Sequence, residues 1–389
     1  MSPASTAIIG AGPAGAHLAA RLAGAGRNVW LFDEKQEWEK PCGGGVTDKA
    51  LREFPFLSDA VYVRNQVREC DLTSPQGRTV RLPLDRAVAI FSRTELNRLL
   101  LDRARAAGAQ FVQQRVTGLV ARDNEWHLTL KDGGVHRAKA LVLASGARNP
   151  FRNQFAHGLG RGDWMATAGY YIDLAKLPWP RQRMVIRFLP ALDGYIWSFP
   201  RHDHASIGIC GKIGQLPSTA LRQQLETFLN QQGIAWQGSA FYSHLLPAPS
   251  VAALRDLQLA GHQPAPWAMV GDAAGLVDPI TGEGLYYALY SAELLARGAT
   301  FEQYAADARR HIVAELSAAA GIADRFYRGR FLGAAVLERM VQFSARSPTF
   351  RALMCDLFSG SQSYGGLRRR LYRNLVPTLV QLSYGNRSI

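Results

Sequence analysis

The sequence predicts an α/β protein in three parts: a discontinuous Rossmann-like domain, an inserted and mainly antiparallel β-sheet domain, and a helical C-terminal region. Three observations predict it. An apolar run from Thr6 to Ile9 passes at once into Gly10-Ala11-Gly12-Pro13-Ala14-Gly15 and a small-residue helix. Strand patterns, with turn residues between them, dominate from about Tyr170 to Gly211. Residues after Thr300 are largely helical in pattern. The expected boundaries are 1–66, 93–160 and 255–300 for the first part, 67–92 and 161–254 for the second, and 301–389 for the third.

The chain opens with a strand, Thr6 to Ile9, then the glycine turn, a helix from Ala16 to Ala25, and a second strand, Val29 to Phe32, ending in Asp33. Strand, glycine turn, helix, strand and acid in that order make a dinucleotide-binding unit. Gly10 makes the tight turn, Gly12 admits a pyrophosphate to the backbone, and Gly15 lets the helix pack closely. The whole turn, Pro13 and Ala14 included, is the candidate phosphate cradle, because the helix N-terminus faces the phosphates. Asp33, 18 residues beyond Gly15, is placed to accept hydrogen bonds from ribose hydroxyls; Glu34 beside it is the alternative.

Lys40-Pro41-Cys42-Gly43-Gly44-Gly45-Val46 follows. Consecutive glycines cost conformational entropy and are tolerated where something passes close to the backbone, a flavin ring being one candidate. Cys42 is either a reactive side chain beside such a ring or a small buried residue. Val67 to Leu72 and Thr79 to Leu84 read as a hairpin around Ser74-Pro75-Gln76-Gly77. Ser92-Arg93-Thr94-Glu95 opens a helix to Ala107, capped by Ser92 or Thr94. Arg93 is either a phosphate or flavin-carbonyl contact or an exposed helix-start arginine.

Phe111 to Val120, Trp126 to Leu130 and Leu141 to Ala144 are expected strands, the last leading into Ser145-Gly146. Met184 to Phe188, Tyr195 to Phe199 and Ala205 to Cys210 are strands of the second part, and Leu221 to Leu229 is a helix. His202 and His204 flank Asp203 in a turn with no further ligand nearby, so a solvated turn is expected and no metal site.

Trp267 to Val270 ends a buried strand at Gly271, and Leu285 to Leu295 has helical spacing. The stretch between them, GDAAGLVDPITGEG, therefore joins a strand to a helix start. Backbone N–H groups there lack intrahelical partners and suit a ligand edge that becomes anionic, as the carbonyl edge of a reduced flavin does. Gly282 and Gly284 let the backbone approach it, and Asp272 can accept from sugar-like hydroxyls. By itself the stretch reads equally well as a glycine-rich turn.

A chain of 389 residues, 47% hydrophobic and 20% charged, is globular and long enough for two or three domains. Its net charge of +14 is mostly arginine, clustered at Arg325, Arg328 and Arg330 and at Arg368, Arg369, Arg370 and Arg373. Such charge favours anionic partners or solubilises the surface. No nucleic-acid-binding motif accompanies it, so nucleic acid is not an expected partner. Cys42, Cys70, Cys210 and Cys355 form no CxxC pair, which argues for a reducing cytoplasm and against a metal site or disulfide framework.

Together these motifs resemble the geranylgeranyl reductase family of flavoproteins, related in fold to p-hydroxybenzoate hydroxylase. The likeness covers most of residues 6 to 300. Gly10 to Gly15 with Asp33 is similar to the family's FAD-adenosine unit, Pro41-Cys42-Gly43-Gly44 to its PxCGG segment, and Arg93 to an arginine that contacts FAD. Gly271-Asp272 and Pro279 to Gly284 resemble its second FAD motif. Gly194-Tyr195-Ile196-Trp197-Ser198-Phe199-Pro200 is similar to the YxWxFP signature, whose Tyr and Trp line the substrate cavity.

The resemblance implies FAD as the cofactor, an FAD-binding first part, a substrate-binding second part, and Gly146 among the cofactor contacts. It implies Cys42, Tyr195 and Trp197 as catalytic candidates, Cys42 and Tyr195 as proton donors. The implied reaction is reduction of carbon–carbon double bonds in an isoprenoid or lipid-like substrate. An aromatic monooxygenase or halogenase on the same fold, or a non-catalytic lipid-binding flavoprotein, is the alternative. Ser145 stands where related hydroxylases carry an aspartate, which argues against direct NADPH use and for a protein donor such as ferredoxin, with NADPH as the alternative electron source. The basic C-terminal helices suit an anionic membrane surface, so a cytoplasmic protein, peripheral at the inner face of the membrane, is expected.

Overall fold

A strand buried on both faces carries no polar alternation, and Thr6–Ile9 is of that kind, with all four residues buried. In the computed structural model, which describes residues 5–155, 159–262 and 264–384, it lies inside a six-stranded sheet. The order is Ala260–Gly261, Trp267–Met269, Ala140–Leu143, Thr6–Ile9, Val29–Phe32 and Gln110–Val112. Every pairing is parallel except that of the Ala260–Gly261 edge. Parallel strands bring the ends of Thr6–Ile9, Ala140–Leu143 and Trp267–Met269 to one edge of the sheet, so the glycine turn, Gly146 and Gly271 emerge there together.

The chain divides into two compact units: Met1–Lys40, Arg93–Asp163 and Leu245–Ser317 form one, and Pro41–Ser92, Trp164–His244 and Ala318–Ile389 the other. The first holds the parallel sheet and a three-stranded antiparallel sheet, Val116–Arg122, Glu125–Leu130 and Val135–Ala138.

The second unit is organised on the eight-stranded sheet, whose centre is Trp164–Asp173, His204–Lys212, Gly194–Pro200, Arg183–Phe188, Asn65–Thr73 and Thr79–Ile90. Leu225 and Phe228 of the helix Ser218–Gln231 are buried with Ile172, Ile196 and Ile207. Leu337, Met340 and Met354, from the helices Val336–Arg346 and Pro348–Phe358, are buried with Leu72, Leu82, Ile90 and Met184. Each fully buried side chain of this size contributes about 1.5–3 kcal/mol.

The mixed α/β fold with a helical C-terminal region is as expected, and two local readings are corrected. The first helix starts at Pro13, not Ala16, because proline suits the first helical position. The expected strand from Phe111 to Val120 breaks at Gln113-Gln114-Arg115: Gln110–Val112 joins the parallel sheet and Val116–Arg122 the antiparallel one. Glu39 adds acceptors at the start of the helix Arg93–Ala106, its carboxylate accepting from the Arg93 N–H at 2.8 Å and the Thr94 N–H at 3.3 Å. The C-terminal helices are interrupted by a ribbon, Arg330–Phe331 with Ala334–Ala335.

Candidate functional site

In the first unit the glycine turn is shaped by contacts within the chain at two of its glycines and by nothing within the chain at the third. A Cβ on Gly10 would lie 2.4 Å from the Ala144 carbonyl oxygen, and one on Gly15 would lie 1.9 Å from the Gly10 oxygen. Neither position admits a side chain. A Cβ on Gly12 would meet no atom within 4 Å. Gly12 is also the N-cap of the helix Pro13–Gly24, without a side-chain cap and without an acid in the first turn. Its N–H groups thus face an open, electropositive position.

Asp33 holds the turn: its carboxylate accepts from the Ala11 N–H at 2.8 Å and the Lys35 N–H at 2.9 Å. Burial raises its pKa, with the two backbone N–H groups opposing. Glu34 points to a different task, an ion pair with Arg115 at 2.5 Å.

The second loop is ordered around an aspartate that sequence reasoning passed over. The buried Asp278 carboxylate accepts from the Ile280 and Thr281 N–H groups at 2.8 and 3.2 Å, and its carbonyl accepts from Gly282. This fixes the turn through Pro279 to Gly284 that opens the helix Leu285–Arg297, again with no side-chain cap and no first-turn acid. The Arg152 guanidinium, buried, donates to the Asp272 and Ala273 carbonyls at 3.0 and 2.7 Å. Asp272 itself pairs with Lys40 at 3.4 Å, and a Cβ on Gly284 would press on its carboxylate at 2.9 Å.

Two further groupings complete this unit. Arg93 is 2% exposed, which rules out the exposed helix-start alternative. One of its terminal nitrogens donates to Asn97 at 3.2 Å, while the buried Nε has no partner among the described residues. Behind the two loops, Glu293 joins their helices: its carboxylate lies 3.0 Å from His17 and Arg21 and 2.7 Å from Arg297. The His17 hydrogen bond, then that from Arg297, lowers the Glu293 pKa to about 2, and burial lowers that of His17.

In the second unit the segment Pro41–Gly44 and the strand Gly194–Pro200 come together. Alternation puts Tyr195 and Phe199 toward one side of the sheet and Ile196 toward the other. Trp197 lies over Gly208, with its ring 6.2 Å from that of Tyr195, and Tyr242 lies over Gly169. A Cβ on Gly43 would strike the Phe199 ring at 2.5 Å, and one on Gly44 the Phe91 carbonyl oxygen at 2.1 Å. What passes close to these glycines is the protein itself.

Arg201, fully buried, and Ser206 both donate to the Cys42 carbonyl, at 2.5 and 3.0 Å. Ser206 in turn lies 3.3 Å from the Trp197 indole N–H and 2.7 Å from the Tyr242 hydroxyl, whose pKa burial pushes up. The Cys42 thiol is partly buried and accepts from the Gly44 N–H at 3.3 Å. His202 and His204 flank Asp203 at 3.5 and 2.9 Å, and among the described residues no group of three His, Cys, Asp or Glu is arranged for a metal ion.

Comparison with known proteins decides the family. The pattern described as FAD dependent oxidoreductase matches residues 84–290, just over half of the chain. The chain belongs to the FAD-dependent oxidoreductase family. Menaquinone reductase of Mycobacterium tuberculosis is 27% identical to this oxidoreductase over 75% of the chain and 76% of that relative. Geranylgeranyl diphosphate reductase of Synechocystis is 26% identical over 75% and 74%, in line with the resemblance drawn from the motifs. A geranylgeranyl bacteriochlorophyll reductase-like protein of Thermoplasma acidophilum, 18% identical, shares the fold with a TM-score of 0.80 over 96% of this chain and 99% of that one.

The first unit of this FAD-dependent oxidoreductase fits the cofactor. Among the described residues the Gly12 position has no packing reason to be glycine, two helix N-termini lack side-chain caps, and Arg93 buries a donor that none of them satisfies. Sequence reasoning missed Glu39, Arg152, Asp278 and Arg201. Only Arg201 had a local signal, as the cation directly after the Tyr195–Pro200 signature. Arg201→Lys keeps the charge but not the planar fork that reaches Cys42 and His204. It is expected to cost about 2 kcal/mol in urea unfolding; a midpoint equal to wild type would refute the positioning role of Arg201.

Proposed function

We propose that this oxidoreductase reduces carbon–carbon double bonds of an isoprenoid or prenylated, lipid-like substrate. The observation that carries the reading is the second unit's aromatic array, Tyr195, Trp197 and Phe199, with the Cys42–Gly44 segment laid against Phe199 by Arg201 and Ser206. Aromatic rings suit a polyene: they give large apolar contact and exclude water from it. The names of the relatives, one a quinone reductase and one a geranylgeranyl diphosphate reductase, support the same substrate class.

FAD, when bound, supplies a hydride. In this reading the Gly10–Gly15 turn, Pro13 and Ala14 included, holds its diphosphate, with Asp33 rather than the Arg115-paired Glu34 beside the ribose. Asp272, Pro279, Gly282 and Gly284 flank the flavin portion, and Arg93 and Gly146 add contacts. Cys42 and Tyr195 are the proton donors to the second carbon, and Trp197 positions the chain. NADPH or a ferredoxin-like protein reduces the flavin, and an anionic membrane surface at the inner face is where the substrate is met. No helix among the described residues is long and apolar enough to cross a membrane.

The test is single-turnover mass spectrometry. Reduced, FAD-loaded protein is mixed with geranylgeranyl diphosphate or a prenylated quinone without oxygen. A product heavier by pairs of hydrogens is expected. Oxygen-dependent gain of an oxygen atom, or no product with either substrate, refutes the reading.

A further inference from the structure

The helix Tyr364–Tyr384 is built inside out. The side it turns to its neighbours is mostly polar, with Leu367 and Leu382 partly buried near its two ends: Thr378 is buried, Asn374 is partly buried, and Arg370 pairs with Asp356 at 2.7 Å. Gln381 accepts from the Ser347 hydroxyl and the Thr349 N–H and donates to the Thr349 hydroxyl at 2.9 Å. The side it turns outward is apolar. Tyr372, Leu375, Val376, Leu379 and Val380 are 44–68% exposed. They stand at i, i+3, i+4, i+7 and i+8, the stripe that a helix of a globular protein ordinarily gives to the core. Arg368, Arg369 and Arg373, all exposed, flank the N-terminal end of that stripe, and the helix contains no acidic residue.

We propose that this face docks on an anionic phospholipid bilayer, the stripe among the upper acyl chains and the three arginines against lipid phosphates. A bilayer offers an apolar layer bounded by a dense sheet of negative charge, which matches both features. A second copy would cover the stripe, but a pair of these helices brings six outward arginines and no carboxylate. The inference rests on the lipid-substrate reading for its purpose, and on the helix alone for its geometry.

The experiment is flotation of full-length, FAD-loaded protein with vesicles of phosphatidylcholine, with and without phosphatidylglycerol. Binding to the anionic vesicles, weakening as salt rises, is expected. Val376→Asp should abolish it. Arg369→Glu with Arg373→Glu should weaken it by at least roughly thirty-fold. Val135→Asp, at a residue 59% exposed elsewhere on the protein, should leave it unchanged. Flotation of Val376→Asp equal to wild type overturns the proposal. So does a wild-type dimer that ignores vesicles and dissociates on Val376→Asp, which gives the stripe to a second copy. No arm reads turnover, so flotation without isoprenoid reduction counts against the catalytic reading only, and reduction of detergent-dispersed substrate by protein that never floats counts against the surface only.

Discussion

Gly12→Ala is expected to strip the protein of FAD while leaving the apoprotein folded. A methyl group at Gly12 meets nothing within the chain, and the residue's φ of −71° is open to alanine. Loss of the better cap residue should cost the apoprotein no more than about 1 kcal/mol. A diphosphate approaching the same N–H groups does meet the methyl, and overpacking of about 1–3 kcal/mol lowers affinity by up to roughly a hundredfold. Gly15→Ala is the contrast, because its methyl collides with the Gly10 backbone at 1.9 Å and disturbs the apoprotein as well. Flavin absorbance after desalting, read beside the apoprotein melting temperature, separates the two. Gly12→Ala protein that stays yellow through desalting would refute the placement of the diphosphate.

Glu293→Ala is expected to cost about 1–3 kcal/mol, the range for leaving buried hydrogen-bond partners unsatisfied, since Arg21 and Arg297 are half exposed and only His17 is buried. It leaves His17, a buried side chain, without its carboxylate, and releases Arg21 and Arg297. The pH dependence follows in sign. Glu293 has a folded pKa of about 2 against an ordinary 4.5, so its stabilisation is complete above about pH 4.5 and is lost as pH falls toward 2. His17, lowered by burial, is protonated more readily in the unfolded chain, so acidification below its ordinary 6.5 also favours unfolding. Both contributions fall with pH. The wild-type stability should therefore decline from about pH 6.5 downward, and Glu293→Ala should flatten the decline between 4.5 and 2. Urea midpoints across this range measure it; parallel wild-type and variant curves would show that Glu293 is not the responsible group.

What the sequence displayed was local. Thr6–Ile9 and Val29–Phe32 are found at the expected residues because uninterrupted apolar runs between glycine turns have few other ways to be buried. The Tyr195–Pro200 signature and the Cys42 segment were visible for the same reason, each being contiguous. Their conjunction was not, since Arg201 and Ser206 reach Cys42 across more than 150 residues of chain. The same holds for Glu39, which caps a helix 54 residues away, and for His17 and Glu293, separated by 276. Such contacts leave no periodicity. Nor does any local pattern show that Gly43 and Gly44 yield room to Phe199 and Phe91.

Ser206 has a single hydroxyl hydrogen, and it is given to the Cys42 carbonyl; toward Trp197 and Tyr242 the same oxygen can only accept. The relay from Tyr242 therefore ends on an amide oxygen, a group too weakly basic to take a proton and pass it on. Tyr242, although a buried phenol among aromatic rings, is wired to rigidify and not to conduct. In the proposed reduction, hydrogen delivered to a substrate carbon from solvent enters through another door, and deuterium from heavy water should label the product at the same rate in Tyr242→Phe as in the unaltered enzyme.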